Sequence, residues 1–329
     1  MNDVSTSPLI NLPGAVGGDG LDKDVAAHYG SFNNEQRALE QGDGFVDLSH
    51  REVIRISGPD RLTWLHNLTT QHLTALGAGQ PTAALILSPQ GHVEHAMYGQ
   101  DSTGQEGGED GILTLHVEPG RAEALIDFLL KMRFMMRAEI EDVTDEVAVT
   151  WRPAARVDAP FDGYEFIPRD KLAAYADAAG PAAGTWAFEA LRIARGEARF
   201  GIDTDHRTIP NEAGWINTAV HLDKGCYRGQ ETVARVHTLG RPPRRLTLLH
   251  LDGTENRLPD AGSELLNGDK VVGFVGSSSR HYELGPIALA MVKRNVPLDV
   301  TLSADGIPAA QEVVVDPEAG LHVRPRLRG

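Results

Sequence analysis

One cysteine, Cys226, stands in a chain of 329 residues. That scarcity excludes an intrachain disulfide, a four-cysteine zinc site and an iron–sulfur cluster held wholly by cysteines of one chain. A reducing, cytoplasmic setting fits best. No stretch approaches the roughly 18 to 20 consecutive apolar residues that cross a bilayer, so no membrane partner is expected. Basic residues are outnumbered, 31 Lys and Arg against 46 Asp and Glu, for a formal net charge of −15. Such a field repels phosphate backbones and anionic lipid, which speaks against nucleic-acid binding. The glycine-rich dinucleotide and P-loop patterns and the GxSxG elbow are missing, and with them the usual support for nucleotide cradling and serine hydrolysis. His92-Val93-Glu94 matches half of a zinc-deaminase pattern, but its paired-cysteine half cannot exist here. His92 and His95 fall on opposite faces of an extended segment, so no metal is expected there.

What is present is ordinary globular material, 41% hydrophobic and 23% charged, long enough for about two domains. Residues 1–30 mix Gly, Pro, Asp and Ser and read as a flexible N-terminal tail. Order is expected from near Phe45. A strand through Val53, Ile54 and Ile56 ends at Gly58-Pro59, and Asp60 is placed to cap a helix through Leu62, Leu65 and Leu68. Ala83 to Leu87, His92 to Tyr98 and Ile112 to Val117 read as strands, with a polar loop over Gln100 to Gly111. Leu125, Phe128, Leu129 and Met132 recur at three and four, predicting a helix over Arg121 to Met136 whose methionines belong to the core. Ala138 to Trp151 returns to β character, and helices are expected through Leu172 and from Thr185 to a stop at Gly196. Arg241 to Arg245 reads as a linker between a region 31–240 and a β domain 241–329. In the latter, Asn267-Gly268 and Asp305-Gly306 mark hairpins of a small antiparallel barrel or sandwich.

One segment carries chemistry: Lys224-Gly225-Cys226-Tyr227-Arg228-Gly229-Gln230-Glu231. In an extended backbone Lys224, Cys226 and Arg228 share a side, which sets the thiol between two cations that favour its thiolate. Gly225 and Gly229 leave room for a planar ligand or a tight turn. With Gly229 near an N-cap, Glu231 falls in the first turn of a helix, where its charge suits the dipole. The plainer alternative is a glycine-bounded turn into a helix with a buried, inert cysteine.

These eight residues resemble the K-G-C-F/Y-x-G-Q-E signature of the YgfZ family of folate-binding proteins, relatives of the mitochondrial iron–sulfur assembly factor and of the glycine-cleavage T-protein. Leu191-Arg192-Ile193, Ile209-Pro210-Asn211-Glu212 and Val233-Ala234-Arg235 flank the signature in the family's order. Val53 to Gln71, Leu87 to Gly91 and the tail from Leu246 extend the likeness over about Phe45 to Pro317. The resemblance implies an α+β, T-protein-like fold: two interleaved α+β units, ferredoxin-like in part, and a C-terminal antiparallel β-barrel round a central cavity. It implies tetrahydrofolate or a derivative as cofactor, iron–sulfur client or assembly proteins as partners, and Cys226 with Lys224 as the reactive pair. Folate contacts are expected from Trp215 and Tyr227 as walls, Glu212 at the pterin's amino edge, and Arg192 or Arg235 at the glutamyl tail. Arg228, Gln230 and Glu231 of the signature complete the expected binding set. One departure from the T-protein matters. Where that aminomethyltransferase has adjacent aspartates, this chain has His95 and Ala96, and Ala194 replaces the glutamate of its LRxExG segment. A folate-dependent one-carbon transferase is therefore the second reading, and a binding scaffold with a structural cysteine the third.

Overall fold

The computed structural model describes residues 6–102, 111–153 and 163–322. The expected loop over Gln100 to Gly111 falls largely outside these. Two compact units emerge, one running through Leu85 and adding His95–Phe188, the other made of Ile86–Glu94 and everything from Glu189 onward.

In the first unit, Val53, Ile54 and Ile56 of the strand Glu52–Ser57 are buried; Val53 and Ile54 are adjacent and point to opposite faces, so both faces of this strand are covered there. This strand lies between Leu113–Val117 and Glu139–Asp142, antiparallel to both. The sheet runs in the order Pro81–Leu87, Val93–Asp101, Leu113–Val117, Glu52–Ser57, Glu139–Asp142. A second sheet orders Tyr164–Pro168, Val147–Trp151, Phe45–Asp47 and Ala182–Ala183. Residues 6–30, which read as a tail, contain a two-stranded pairing of Val16–Gly17 with Ala26–His28. Leu9 packs with Phe45, Ala148 and Leu172, and Val25, Ala26 and Ala27 are buried as well, so the few apolar residues of this stretch tether it. Asp60 precedes the helix Arg61–Leu68 without capping it through its side chain; its carboxylate instead receives the backbone N–H and guanidinium of Arg137.

The expectation of core methionines is corrected. The helix spans Ala122–Arg133 and buries Leu125 and Leu129, but Met132, Met135 and Met136 are exposed. Leu125 and Leu129, one turn apart, already supply the buried stripe, and the chain reverses at Phe134 before the later methionines can reach the sheet.

In the second unit the short strands after Pro243 close into a six-stranded barrel, in the order Arg244–Leu251, Gly285–Lys293, Lys270–His281, Glu264–Asn267, Leu302–Ala304, Ile307–Val313. Both expected hairpins are present, with Gly268 at φ 58° and Asp305-Gly306 at φ 52° and 79°. Leu249, Leu265, Val275, Ala290 and Ile307 fill the interior. The stretch read as a linker is shorter than expected: Arg244 already begins a strand, and Arg245 is fully buried, donating to the carbonyls of Lys293 and Val296 and to Gln311 Oε1.

Candidate functional site

The signature folds as an irregular turn that runs into the helix Gln230–Leu239. Its two glycines do different work. Gly229 has φ 78°, and a Cβ there would lie 2.5 Å from the Ser88 carbonyl oxygen and 2.9 Å from Gly91 Cα. Gly91 has φ 85° and abuts Thr232 in turn. The turn Ser88 to Gly91 therefore sits directly on the helix start, and only glycine permits that approach. Gly225 is different: its φ is not positive, and a Cβ added there would meet no atom within 4 Å, so local packing does not require glycine.

The extended-strand expectation is corrected by burial. Lys224 and Tyr227 are buried, while Cys226 and Arg228 are exposed. Three-residue spacing of the buried side chains is that of a turn, not of a strand, so Lys224 does not share the exposed side of Cys226 and Arg228. Lys224 Nζ stands 5.1 Å from the centre of the Tyr227 ring. Burial lowers the Lys224 pKa to about 8 and raises that of Tyr227 to about 12. Arg228 pairs with Glu94 at 3.1 Å. Gln230 and Glu231 occupy the first helical turn as expected.

The other expected folate contacts scatter. Arg235 is exposed on the helix and Trp215 is buried in the preceding irregular stretch. Glu212 is buried and receives two hydrogen bonds from Arg244, at 2.8 and 2.9 Å, and one from the Ile209 amide. Arg192 pairs with Glu189 at 2.7 Å and Asp203 at 2.9 Å. Burial alone would lower the Arg192 pKa, but these two carboxylates overcome it and hold the pKa above its ordinary value. Glu212 and Arg192 are thus committed to internal ion pairs.

Sequence reasoning missed His116. It is fully buried on the strand Leu113–Val117, and neither ring nitrogen has a hydrogen-bond partner among the described residues. Tyr98, its cross-strand neighbour, stacks at 5.4 Å, Tyr164 lies 4.5 Å away and Phe166 6.1 Å away. Arg51, itself buried, sits over Tyr164 at 5.3 Å. Burial first, then the charges of Arg51 and His50, push the His116 pKa well below its ordinary value, so its imidazole is neutral at pH 7. Along Leu113-Thr114-Leu115-His116-Val117 the histidine shares a face with Thr114 and reads by alternation as an ordinary solvent-facing position, so no signal in the sequence marked it.

A cavity of about 260 Å³ in the second unit is bordered by Asn211, Ile216, His237, Pro242 and Val315, and by none of the expected site residues. Among the described residues no group of three or more His, Cys, Asp or Glu side chains could hold a metal ion, and no helix is long and apolar enough to cross a membrane.

This architecture, an α+β body followed by a closed antiparallel barrel, is the T-protein fold. The glycine cleavage system aminomethyltransferase T of Bartonella henselae superposes with a TM-score of 0.74 over 95% of this chain and 97% of that one, at 18% identity. Among curated proteins, a candidate transferase of the Arabidopsis thaliana chloroplast is 27% identical over 311 residues, 78% of this chain and 68% of its own. The mitochondrial iron–sulfur cluster assembly factor IBA57 homolog of Aspergillus clavatus is 25% identical, covering 80% of this chain and 73% of its own. The aminomethyltransferase of Rubrobacter xylanophilus is 26% identical, covering 82% and 81%. No family model matches the chain.

Proposed function

We propose that this chain is a tetrahydrofolate-binding accessory protein of the YgfZ type, supporting assembly or repair of iron–sulfur clusters in client enzymes. The observation that carries the reading is the exposed thiol of Cys226, next to a glycine that local packing does not require. A cysteine kept for packing would be buried. Open space at Gly225 suits close approach by a ligand or by a client's backbone. The likeness to an iron–sulfur assembly factor supports the same direction.

The chemistry around His116 is of the kind a folate uses: its ring nitrogens make no hydrogen bond among the described residues, and Tyr98, Tyr164 and Phe166 are stacking surfaces, so a pterin would reach the imidazole by displacing part of this ring of side chains. Bound tetrahydrofolate supplies a reduced pterin that can carry a one-carbon unit. Lys224, with its pKa near 8, holds a proton at Nζ that it can release near neutral pH. Cys226 presents a soft ligand and nucleophile, and because one thiol cannot hold a cluster, the remaining ligands come from the client or from another source. The aminomethyl-transfer alternative lacks a carboxylate at His95, Ala96 and Ala194, and the adjacent Glu94 is engaged by Arg228.

The test uses cells lacking the protein, with the activity of their iron–sulfur enzymes as readout. Cys226→Ser is expected to fold and to bind tetrahydrofolate while failing to restore activity, and Gly225→Ala to fold as wild type but lose activity. Full rescue by Cys226→Ser removes the thiol from the mechanism. Absence of calorimetric heat with tetrahydrofolate near millimolar concentration removes the folate.

A further inference from the structure

The helix Ala122–Arg133 leads into a segment, Leu130 to Arg137, whose backbone is anchored while its apolar side chains face water. The Trp64 indole N–H donates to the Met132 carbonyl at 3.2 Å, and the Met136 amide donates to the Arg133 carbonyl at 2.9 Å. The Arg133 guanidinium reaches the Ala138 carbonyl at 3.3 Å. Asp60 accepts from the Arg137 amide at 2.9 Å and from its guanidinium at 2.8 and 3.1 Å. On this fixed frame Leu130, Met132 and Met136 are exposed, Met135 is 81% exposed and Phe134 is 90% exposed. Phe134 alone leaves roughly 150 to 200 Å² of aromatic residue in water.

Phe134 also carries strain. Its φ of 42° and ψ of −116° belong to a region where glycine is the ordinary residue and a bulky side chain is an outlier. Such a conformation is unfavourable for a residue with a Cβ and persists where the surroundings impose it. Here that strain displays an aromatic ring to solvent, which contributes nothing to folding. Charge supplies the second half of the argument. From Phe128 to Ala138 the sequence holds Lys131, Arg133 and Arg137 and no carboxylate, in a chain of net charge −15. Arg137 is matched by Asp60, whereas Lys131 and Arg133 have no carboxylate partner among the described residues.

We propose that this segment docks a partner protein whose surface offers an apolar groove edged by Asp or Glu. Phe134 is the knob, and the methionines are adaptable walls able to fit more than one groove. Lys131 and Arg133 meet the acidic edge and set orientation and approach rate. An anionic bilayer is disfavoured as occupant because the field of the whole chain opposes its approach. The inference stands apart from the folate reading, since it uses no residue of the signature or of the His116 cage.

The experiment places a photo-crosslinking phenylalanine analogue at position 134 of the full chain in cells, with position 298 on the exposed surface as control. The adduct peptide is sequenced, and the purified pair is then titrated. The expected result is an adduct on another protein's apolar surface flanked by carboxylates. Phe134→Gly is expected to weaken that pair about tenfold or more while its Tm stays at or above wild type, because glycine relieves the strained φ. Lys131→Glu with Arg133→Glu is expected to weaken it as well, with recovery when the partner's carboxylates are changed to Lys. The proposal is overturned by adducts confined to a second copy of this chain, or by adducts no more frequent than at position 298. Loss of phosphatidylserine–phosphatidylcholine vesicle binding in Phe134→Gly, without any protein adduct, also overturns it, as does an affinity unmoved by the charge reversals.

Discussion

Two buried polar clusters in this molecule have opposite bookkeeping. Around Arg192 and Arg244, every cation has its anion: Arg192 meets Glu189 and Asp203, and Asp203 also accepts from the amides of Arg199 at 2.7 Å and Ser277 at 2.6 Å. Arg244 is bidentate to both Asp205 and Glu212. Around His116, aromatic rings close over a histidine that makes no hydrogen bond among the described residues. The satisfied cluster orders the irregular stretch 196–216 against the first strand and the Lys270–His281 strand of the barrel. An unsatisfied buried group is a standing cost that folding does not need. The contrast separates groups that build the fold from groups left available for a ligand, and each side of it can be broken.

The largest effect is expected at Asp203. Replacing it by Ala leaves Arg192 with Glu189 as its remaining carboxylate and strands the two amides, and urea unfolding is expected to show a loss of about 3 kcal/mol. Arg244→Met ranks next, at about 2 kcal/mol, because Asp205 keeps some solvent while Glu212 does not. Its pH dependence has a definite sign. Arg244 and neighbouring hydrogen bonds overcome the burial that would raise the Asp205 pKa, and hold it below the ordinary carboxylate range. The resulting stability is present above the unfolded pKa of about 3.9 and is lost as pH falls through the folded value. The variant should show a shallower acid limb.

His116→Phe reverses the pattern. Stability is expected to stay within about 1 kcal/mol of wild type or to rise, since an unsatisfied group is replaced by an apolar one of similar shape. The depressed folded pKa means that wild type keeps its full stability above about pH 6.5 and loses it as pH falls toward the folded value. The Phe variant should lack that component, and calorimetry should show tetrahydrofolate binding weakened or lost. A variant that binds as well as wild type would return the cage to simple packing. The smallest effect is expected from Lys224→Met, a gain of no more than about 1 kcal/mol at pH 7. Wild type recovers stability as pH rises from about 8 toward the unfolded lysine value near 10.5, so the advantage of the variant should vanish over that window in a series of thermal melts.

Much of the fold was legible because it rests on local signals. Asn267-Gly268 and Asp305-Gly306 specify hairpins through positive φ, and the 3.6-residue spacing of Leu125 and Leu129 specifies a helix. The helix after Gly229 follows from the same kind of signal. The methionine error has two parts: Met132 lies in the last helical turn yet is exposed, and Met135 and Met136 follow Phe134, where the chain turns at a residue whose type gives no warning of positive φ. Glu212 and Arg192 were readable as charged groups near a signature. Glu189, three residues before Arg192, is a pair that helical spacing allows, but Arg244 for Glu212 and Asp203 for Arg192 lie 32 and 11 residues away in sequence, and no local rule pairs them.

Residue types and their near neighbours were enough to establish the chemical inventory: one thiol, an acidic field, a glycine-bounded turn and the hairpins of a barrel. Which of these groups reach solvent and which are neutralised followed only from the folded arrangement. Folding exposed Cys226, buried Lys224 beside Tyr227, sealed His116 behind three rings and turned Phe134 outward. Burial and pairing arise from contacts between residues distant along the chain, and the desolvation that shifts a proton or strands a polar atom exists only once those contacts have formed.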